Sequence, residues 1–137
     1  MSETIETLRK EHEQICRDLD ELRGLTEGCP LESVIEDLER LIVSHVSRED
    51  VEVYGPLRKL ATLSSEADAF LTKSRQDLEY VKISALIFFE KYRGKSPAMC
   101  GDFKKDLERL SGKIRARIDL ENRELFPFLL NFWKTLK

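Results

Sequence analysis

The sequence predicts an all-α fold, an up-down-up-down antiparallel four-helix bundle, in a single domain that takes in residues 1–137. Apolar residues recur at alternating spacings of three and four in four long segments, which is the pattern of helices with one buried face. Charged residues make up 36% of the chain against six glycines and four prolines, and this favours long, salt-bridged helices over strands. Short breakers between the segments make consecutive helices antiparallel neighbours.

The first two segments form the first predicted helical hairpin. They run from about Ser2 to Arg23 and from about Leu31 to Tyr54, with glycines and a proline in residues 24–30 between them. Gly55-Pro56 is predicted to disrupt the second helix, and residues 57–60 are predicted to add a further turn.

The last two segments form the second predicted hairpin. The third helix begins at a cap on Ser64 or Ser65 and runs to about Tyr92, before a breaker at residues 94–97. The fourth helix starts near residues 101–102, and Pro127 is predicted to bend or restart it.

Charge and cysteine usage limit the function classes. Lysine and arginine total 23 and aspartate and glutamate total 26, so a net charge of -3 gives no electrostatic basis for binding nucleic acid or an anionic membrane. The chain contains no run of about 18 apolar residues that would span a membrane, and its acidic first residues do not resemble a secretory signal. The three scattered cysteines, Cys16, Cys29 and Cys100, are predicted to be free thiols, and the expected location is the cytoplasm.

Six polar residues interrupt the apolar stripes of the predicted helices. They are His12, His45, Glu49, Arg75, Arg117 and Glu121. Glutamate and arginine are almost never fully buried unless they are paired, and unsatisfied charges in a small core cost far too much. The six residues are therefore predicted to satisfy one another, a metal ion or trapped water.

The two hairpins carry related polar pairs. His45-x-x-x-Glu49 lies in the second segment, and Arg117-x-x-x-Glu121 lies in the fourth. Residues four apart share one face of a helix, so an imidazole and a carboxylate at this spacing can bind the same cation. In the second hairpin an arginine stands where the first hairpin has a histidine.

Three motifs resemble those of bacterial hemerythrin-like proteins of the HHE cation-binding type. The segment that ends in Glu11-His12 resembles the family's first-helix histidine motif, and His45-Val-Ser-Arg-Glu49 resembles its second-helix H-x-x-x-E motif. The segment from Arg117 to Glu121, which continues into Leu125-Phe126-Pro127, matches the fourth-helix motif except at the histidine. The resemblance extends over essentially the whole chain.

The resemblance implies a four-helix bundle built for two irons bridged by two carboxylates. One iron would be held by histidines of the first and second helices, and the other by histidines of the third and fourth. Carried over by position, the metal ligands are His12, His45, Glu49 and Glu121. The third helix contains no histidine and the fourth has Arg117 instead, so we do not expect reversible binding of dioxygen at a di-iron centre.

Three states of the polar set follow from these residues. In the first, no metal is bound, and Arg75 and Arg117 neutralise Glu49 and Glu121. In the second, two histidines and one or two carboxylates hold a single metal, a donor set that suits ferrous iron, zinc or manganese. In the third, a complete di-iron site would need unusual ligands for its second iron.

We predict a hemerythrin-like binding or sensing protein whose di-iron site is incomplete. It holds no metal or at most one ion, with iron as the expected cofactor if there is one. We expect no enzymatic activity and assign no catalytic residue. The alternative is a metal-free helical module for interaction or regulation, in which Arg75 and Arg117 replace the charge of the metal.

The C-terminal stretch from Phe126 to Leu136 is unusually apolar. It is predicted to cap the end of the bundle. A less favoured interpretation is an exposed patch that binds a protein partner or forms a homodimer.

Overall fold

A computed structural model describes residues 2–24, 31–62, 64–94 and 102–136. These residues form six α-helices and contain no strand, which confirms the predicted all-α bundle. The helices are α1 (Ser2–Gly24), α2 (Leu31–Glu49), α3 (Gly55–Ala61), α4 (Ser65–Tyr92), α5 (Phe103–Leu120) and α6 (Phe126–Leu136). Two π-helical turns, Asp50–Tyr54 and Glu121–Leu125, join α2 to α3 and α5 to α6, so the described residues form four continuous helical rods.

The two π-helical turns correct the predicted disruption of the second rod. The N–H of Gly55 bonds to the carbonyl of Asp50, and the N–H of Phe126 bonds to that of Glu121, each five residues back. A proline follows each turn after one intervening residue, at position 56 or 127. A proline ring crowds the carbonyl four residues earlier and cannot donate to it, so a wider turn lets the rod continue as helix. The chain therefore stays helical through Gly55-Pro56 instead of breaking there.

The start of α4 matches the predicted cap. Ser64 has extended backbone angles, and its hydroxyl accepts a hydrogen bond of 3.2 Å from the backbone N–H of Ala67. This bond satisfies one of the donors that the first turn of a helix leaves free. The predicted breakers at 24–30 and 94–97, apart from Gly24 and Gly94, and the thiols of Cys29 and Cys100 lie outside the described residues.

The apolar core is divided into two clusters. One cluster lies towards the C-terminal end of α1, and its members include Ile15, Leu19 and Leu22. The other includes Ile5 and Leu8 from the start of α1, together with residues of α3, α4 and α6. His12 falls between the two clusters along α1, and it is itself buried. A layer of polar side chains therefore crosses the bundle between two apolar regions.

The C-terminal stretch packs onto the second of these clusters. Phe126 and Leu129 are fully buried, and Phe128, Leu130 and Phe132 are partly buried against the cluster. The described side chains of this stretch thus cover the end of the core, as predicted. A role in binding a partner or a second copy stays a prediction. Among the residues that the structure describes, no helix is long and apolar enough to cross a membrane.

Candidate metal centre

The structure brings together the four residues predicted as metal ligands. His12 comes from α1, His45 and Glu49 come from α2, and Glu121 opens the second π-helical turn. All four side chains are buried, and each places one nitrogen or oxygen ligand atom within 4.8 Å of the others. The two carboxylates stand at similar places in the two hairpins, since Glu49 directly precedes the first π-helical turn and Glu121 is the first residue of the second. Turns of this kind are frequent at functional sites.

The distances among these atoms suit a single metal ion. The Nε2 atoms of His12 and His45 are 3.1 Å apart. Oε1 of Glu121 lies 2.7 Å from Nε2 of His12, and Oε1 of Glu49 lies 2.8 Å from Nε2 of His45. The cross distances from these Nε2 atoms to the opposite carboxylates are 3.9 and 3.6 Å. Bonds of about 2.0–2.2 Å to one metal separate neighbouring ligand atoms by roughly 3–3.5 Å, so only small shifts are needed.

The outer hydrogen bonds of the two histidines decide which ring nitrogen is bare. Nδ1 of His45 lies 3.0 Å from a carboxylate oxygen of Glu11, and Nδ1 of His12 lies 3.0 Å from the amide oxygen of Asn122. Both partners are acceptors, so each Nδ1 carries the hydrogen and donates it. In the neutral rings both Nε2 lone pairs then face the same point. This is the arrangement of metal-binding histidines, whose outer nitrogen is held by a carboxylate or carbonyl.

The carboxylate of Glu49 lacks a hydrogen-bond partner. Its side chain is completely buried, and neither oxygen makes a hydrogen bond within the part of the chain that the structure describes. Its Oε1 approaches Nε2 of His45 closely, but not in hydrogen-bonding geometry. A buried polar group without a partner needs an explanation, and a bound cation is one of them. The residues present therefore fit a metal ion.

The pKa values of the cluster show that its two buried carboxylates favour a positive charge beside them. Burial lowers the pKa of His45, but the carboxylates of Glu121 and Glu49 outweigh burial and raise it from 6.5 to about 10. Burial and the negative charge of Glu121 raise the pKa of Glu49 from 4.5 to about 8. Burial acts against ionisation of Glu121 as well, yet its hydrogen-bonding neighbours and Arg117 hold its pKa well below the usual value. Without a metal, the cluster therefore keeps a proton at neutral pH.

Arg117 occupies the other end of the polar layer, and its side chain is only 4% exposed. Its Nε donates to Oε2 of Glu121 at 2.7 Å. One terminal nitrogen donates to the carbonyl of Ser74 at 2.9 Å and to Asp77 at 3.2 Å. The other donates to the hydroxyl of Tyr54 at 2.8 Å and reaches the hydroxyl of Ser74 at 3.4 Å. These contacts use all five donors of the guanidinium.

Glu121 links the two ends of the layer. Its Oε1 faces His12, while its Oε2 accepts from Arg117. Burial would lower the pKa of Arg117, but Glu121 and the other partners raise it, so the guanidinium stays charged. Arg117 thus supplies a fixed positive charge to the outer oxygen of this carboxylate, as predicted from the repeat.

The prediction that Arg75 faces the core is wrong. Its side chain is 45% exposed, and its guanidinium lies 3.2 Å from Asp50 on the surface and over the ring of Tyr54. The inward position of α4 belongs to Ser74, which is 4% exposed. Arg75 stands one position beyond the buried face, where an exposed carboxylate pairs with it at no cost of burial. It therefore does not neutralise Glu49.

Sequence reasoning missed the residues that support the cluster from outside. Glu11 and Asn122 hold the two histidine rings, and Ser74 and Tyr54 bind Arg117. Two of them had a signal in the sequence, because Glu11 adjoins His12 and Asn122 adjoins Glu121. Arg48 donates to the second oxygen of Glu11 at 3.3 Å and so holds that carboxylate in place.

A comparison with protein-family models matches residues 3–129 to the hemerythrin HHE cation binding domain. No curated protein and no solved structure gave a significant match to the chain.

Proposed function

Since the chain belongs to the hemerythrin HHE cation binding domain family, we propose that it binds one divalent metal ion and acts as a binding or sensing protein. The ligands are His12, His45, Glu49 and Glu121. Ferrous iron is the proposed metal, because two imidazoles with carboxylates suit it among the first-row ions and the family resemblance points the same way. Bound iron would supply a redox-active centre able to take a small ligand.

One observation carries this proposal: the Nε2 atoms of two histidines, 3.1 Å apart, and an unpartnered carboxylate converge on one point. A proton there can bond only one donor and one acceptor. A metal ion can bond the two nitrogens and both carboxylates at once. The metal therefore satisfies Glu49, which a proton on His45 leaves without a hydrogen bond.

Arg117 limits the centre to one metal in this proposal. Its guanidinium already holds the oxygen of Glu121 that would bridge to a second ion. A permanent cation at this distance also opposes another divalent charge in a medium of low dielectric constant. The protein thus keeps half of the family's centre and fills the other half with a side chain.

Metal analysis of the protein purified without oxygen from iron-supplemented cells tests the proposal. We expect about one iron per chain, lost in His45→Ala because that variant removes one of the two imidazoles. Ser44→Ala, at the exposed neighbouring position, is the matched control and should keep the iron. A folded wild-type protein that takes up no divalent metal, even when titrated with ferrous iron, zinc and manganese, would rule the proposal out.

The competing function is a metal-free interaction module. Exposed apolar side chains on α4 favour it, because Tyr80, Ile83 and Ile87 are 57, 49 and 64% exposed. In that state a proton on His45 and the charge of Arg117 would balance Glu49 and Glu121. Wild-type protein without metal, with the helix content and stability of a folded bundle, would favour this function over the first.

A further inference from the structure

The helix α4 carries apolar side chains on the face that points away from the core. Tyr80, Ile83 and Ile87 are 57, 49 and 64% exposed. They are spaced three and four residues apart, so they share one face of the helix. At about 3.6 residues per turn, this face lies on the far side of α4 from the buried Ala85 and Tyr92. The three side chains therefore form a second apolar stripe, separate from the one that packs in the bundle.

Two neighbouring side chains widen this stripe. Leu86 of α4 and Val43 of α2, 44 and 50% exposed, line the same groove between the two helices. Where the structure describes side chains, six large apolar residues are exposed, and five of them lie on this surface. We call Val43, Tyr80, Ile83, Leu86 and Ile87 the α4 patch. An exposed apolar patch with polar residues around it marks an interaction site.

The stripe on α4 ends in opposite charges. The same spacing continues to Gln76 and Lys73 on one side and to Glu90 on the other, so six positions from 73 to 90 follow alternating steps of three and four. Lys73, Gln76 and Glu90 are all exposed. This is the spacing with which one helix packs along another at a shallow angle. The outer face of α4 therefore runs from a cation, through an apolar centre, to an anion.

We propose that the α4 patch binds a second copy of this chain, with the two α4 helices antiparallel about a twofold axis. In this pairing Tyr80 lies beside Ile83 of the second copy, and Lys73 lies opposite Glu90 at both ends of the contact. A parallel pairing would set lysine against lysine and glutamate against glutamate, and like charges repel. The order of the charges makes the face complementary to itself, which is what a twofold contact between identical chains requires.

The size of the surface sets the strength of the dimer. One helix face, with Val43 and Leu86 at its side, is a small contact beside the roughly 800 Å² per partner that stable complexes bury. We therefore expect a dissociation constant on the order of 10–100 μM. This inference goes beyond the proposed metal binding and does not depend on it, because the α4 patch lies outside the core.

Sedimentation equilibrium of the full chain, under reducing conditions and with a chelator present, tests the proposal. Ile83→Glu places a charge in the apolar centre of each half and should raise the dissociation constant about tenfold or more. Ile87→Glu is a second variant with the same expected effect, should Ile83→Glu fail to fold. Val51→Glu is the matched control, because Val51 is 72% exposed and lies outside the α4 patch, and it should leave the constant unchanged.

Two results would overturn the second copy as the occupant of the α4 patch. One is a wild-type protein that stays monomeric at about 1 mM, where even a weak dimer is populated. The other is a folded Ile83→Glu or Ile87→Glu protein that associates as strongly as the wild type, since its contact would then lie elsewhere.

Charge reversal tests the antiparallel direction. Lys73→Glu sets an acidic side chain against Glu90 of the second copy, and it should raise the dissociation constant about three- to tenfold at low salt. Adding Glu90→Lys to the same chain restores opposite charges at both ends and should recover the wild-type constant. A double variant that associates no better than Lys73→Glu alone would overturn the antiparallel pairing.

Discussion

The two ends of the polar layer hold their charges in different ways. Around Arg117 every donor of the guanidinium has an acceptor, so that end is complete without any added ion. Around His12 and His45 the two Nε2 atoms lie 3.1 Å apart and the unpartnered Glu49 faces them. One end is a finished hydrogen-bond network, and the other is a group of side chains that could hold a metal ion. In the architecture that the resemblance implies, the carboxylate at this position bridges two metal ions. In this chain Glu121 instead contacts His12 through one oxygen and Arg117 through the other.

The largest expected change is the gain of a second metal. Replacing Arg117 and Ser74 together by histidine should raise the iron or zinc content from about one towards two per chain, because Arg117 contacts the outer oxygen of Glu121 and the buried Ser74 contacts Arg117. Arg117→His with Arg75→His is the matched control and should stay near one, since Arg75 is on the surface. Metal analysis by mass spectrometry, with circular dichroism to confirm folding, measures both. Equal uptake in the two variants would contradict the placement of Ser74 in the layer.

Loss of Arg117 should destabilise the protein strongly. Arg117→Met leaves Oε2 of Glu121 without its buried cationic partner, and we expect a loss of about 3–5 kcal/mol in the free energy of unfolding by urea. Arg75→Met removes a half-exposed ion pair and should cost less than about 1 kcal/mol. Similar losses in both variants would mean that the two arginines do not differ as their burial indicates.

The metal-free protein should lose stability as the pH rises. The pKa of His45 is about 10 in the fold against 6.5 normally, so its contribution is complete below pH 6.5 and disappears as the pH approaches 10. Glu49, with a raised pKa, adds to the same decline from a lower pH, whereas Glu121, with a lowered pKa, stabilises above pH 4.5 and loses its contribution in acid. Urea unfolding should show a fall on the order of a few kcal/mol.

His45→Gln is the control for this pH dependence. It removes one ring that holds a proton, so the part of the decline that His45 contributes above pH 6.5 should vanish, while the part from Glu49 remains. A wild-type stability that stays level or rises between pH 6.5 and 10 would show that no proton is held at this end of the layer.

The smallest expected effect concerns the support of the histidine rings. Glu11→Gln weakens the hydrogen bond that orients His45, and it should lower metal affinity by about 10–100-fold without changing the stoichiometry. Glu13→Gln, two residues away and exposed, should leave the affinity unchanged. Competition with a chromophoric chelator measures both constants. Equal metal affinities for the two variants would show that Glu11 does not support metal binding by His45.

Much of the fold follows from local patterns. Alternating spacings of three and four residues predicted four rods, and the Ser64 cap was among the two serines named for the start of α4. The sequence did not predict that the second rod continues past Gly55-Pro56. The widened turn that accommodates the proline depends on the packing of the whole rod. For the site, the motifs named four candidate ligands and Arg117, and the structure brings these five residues together in one layer.

The third helix shows where sequence reasoning ended. On α4 the stripe is blurred, since apolar residues such as Ile83 and Ile87 also occupy its exposed face. Periodicity alone could not choose between Ser74 and Arg75, which differ by one position, and the match to a repeat favoured the arginine. The tertiary structure places Arg75 outside the core, because Asp50 on the neighbouring rod pairs with it at the surface.

By itself, the sequence determined that four amphipathic rods form and that histidines, glutamates and arginine interrupt their buried faces, but it did not distinguish Arg75 from the buried Ser74. Those properties are local, since spacing along a helix sets which side chains share a face. Only the tertiary structure decided that Nδ1 of each histidine is taken by Glu11 or Asn122 while Glu49 stays without a partner. Glu11 and Asn122 lie on different rods from the histidines that they orient. The oriented rings and the unpartnered carboxylate of Glu49 therefore come together only when the rods pack.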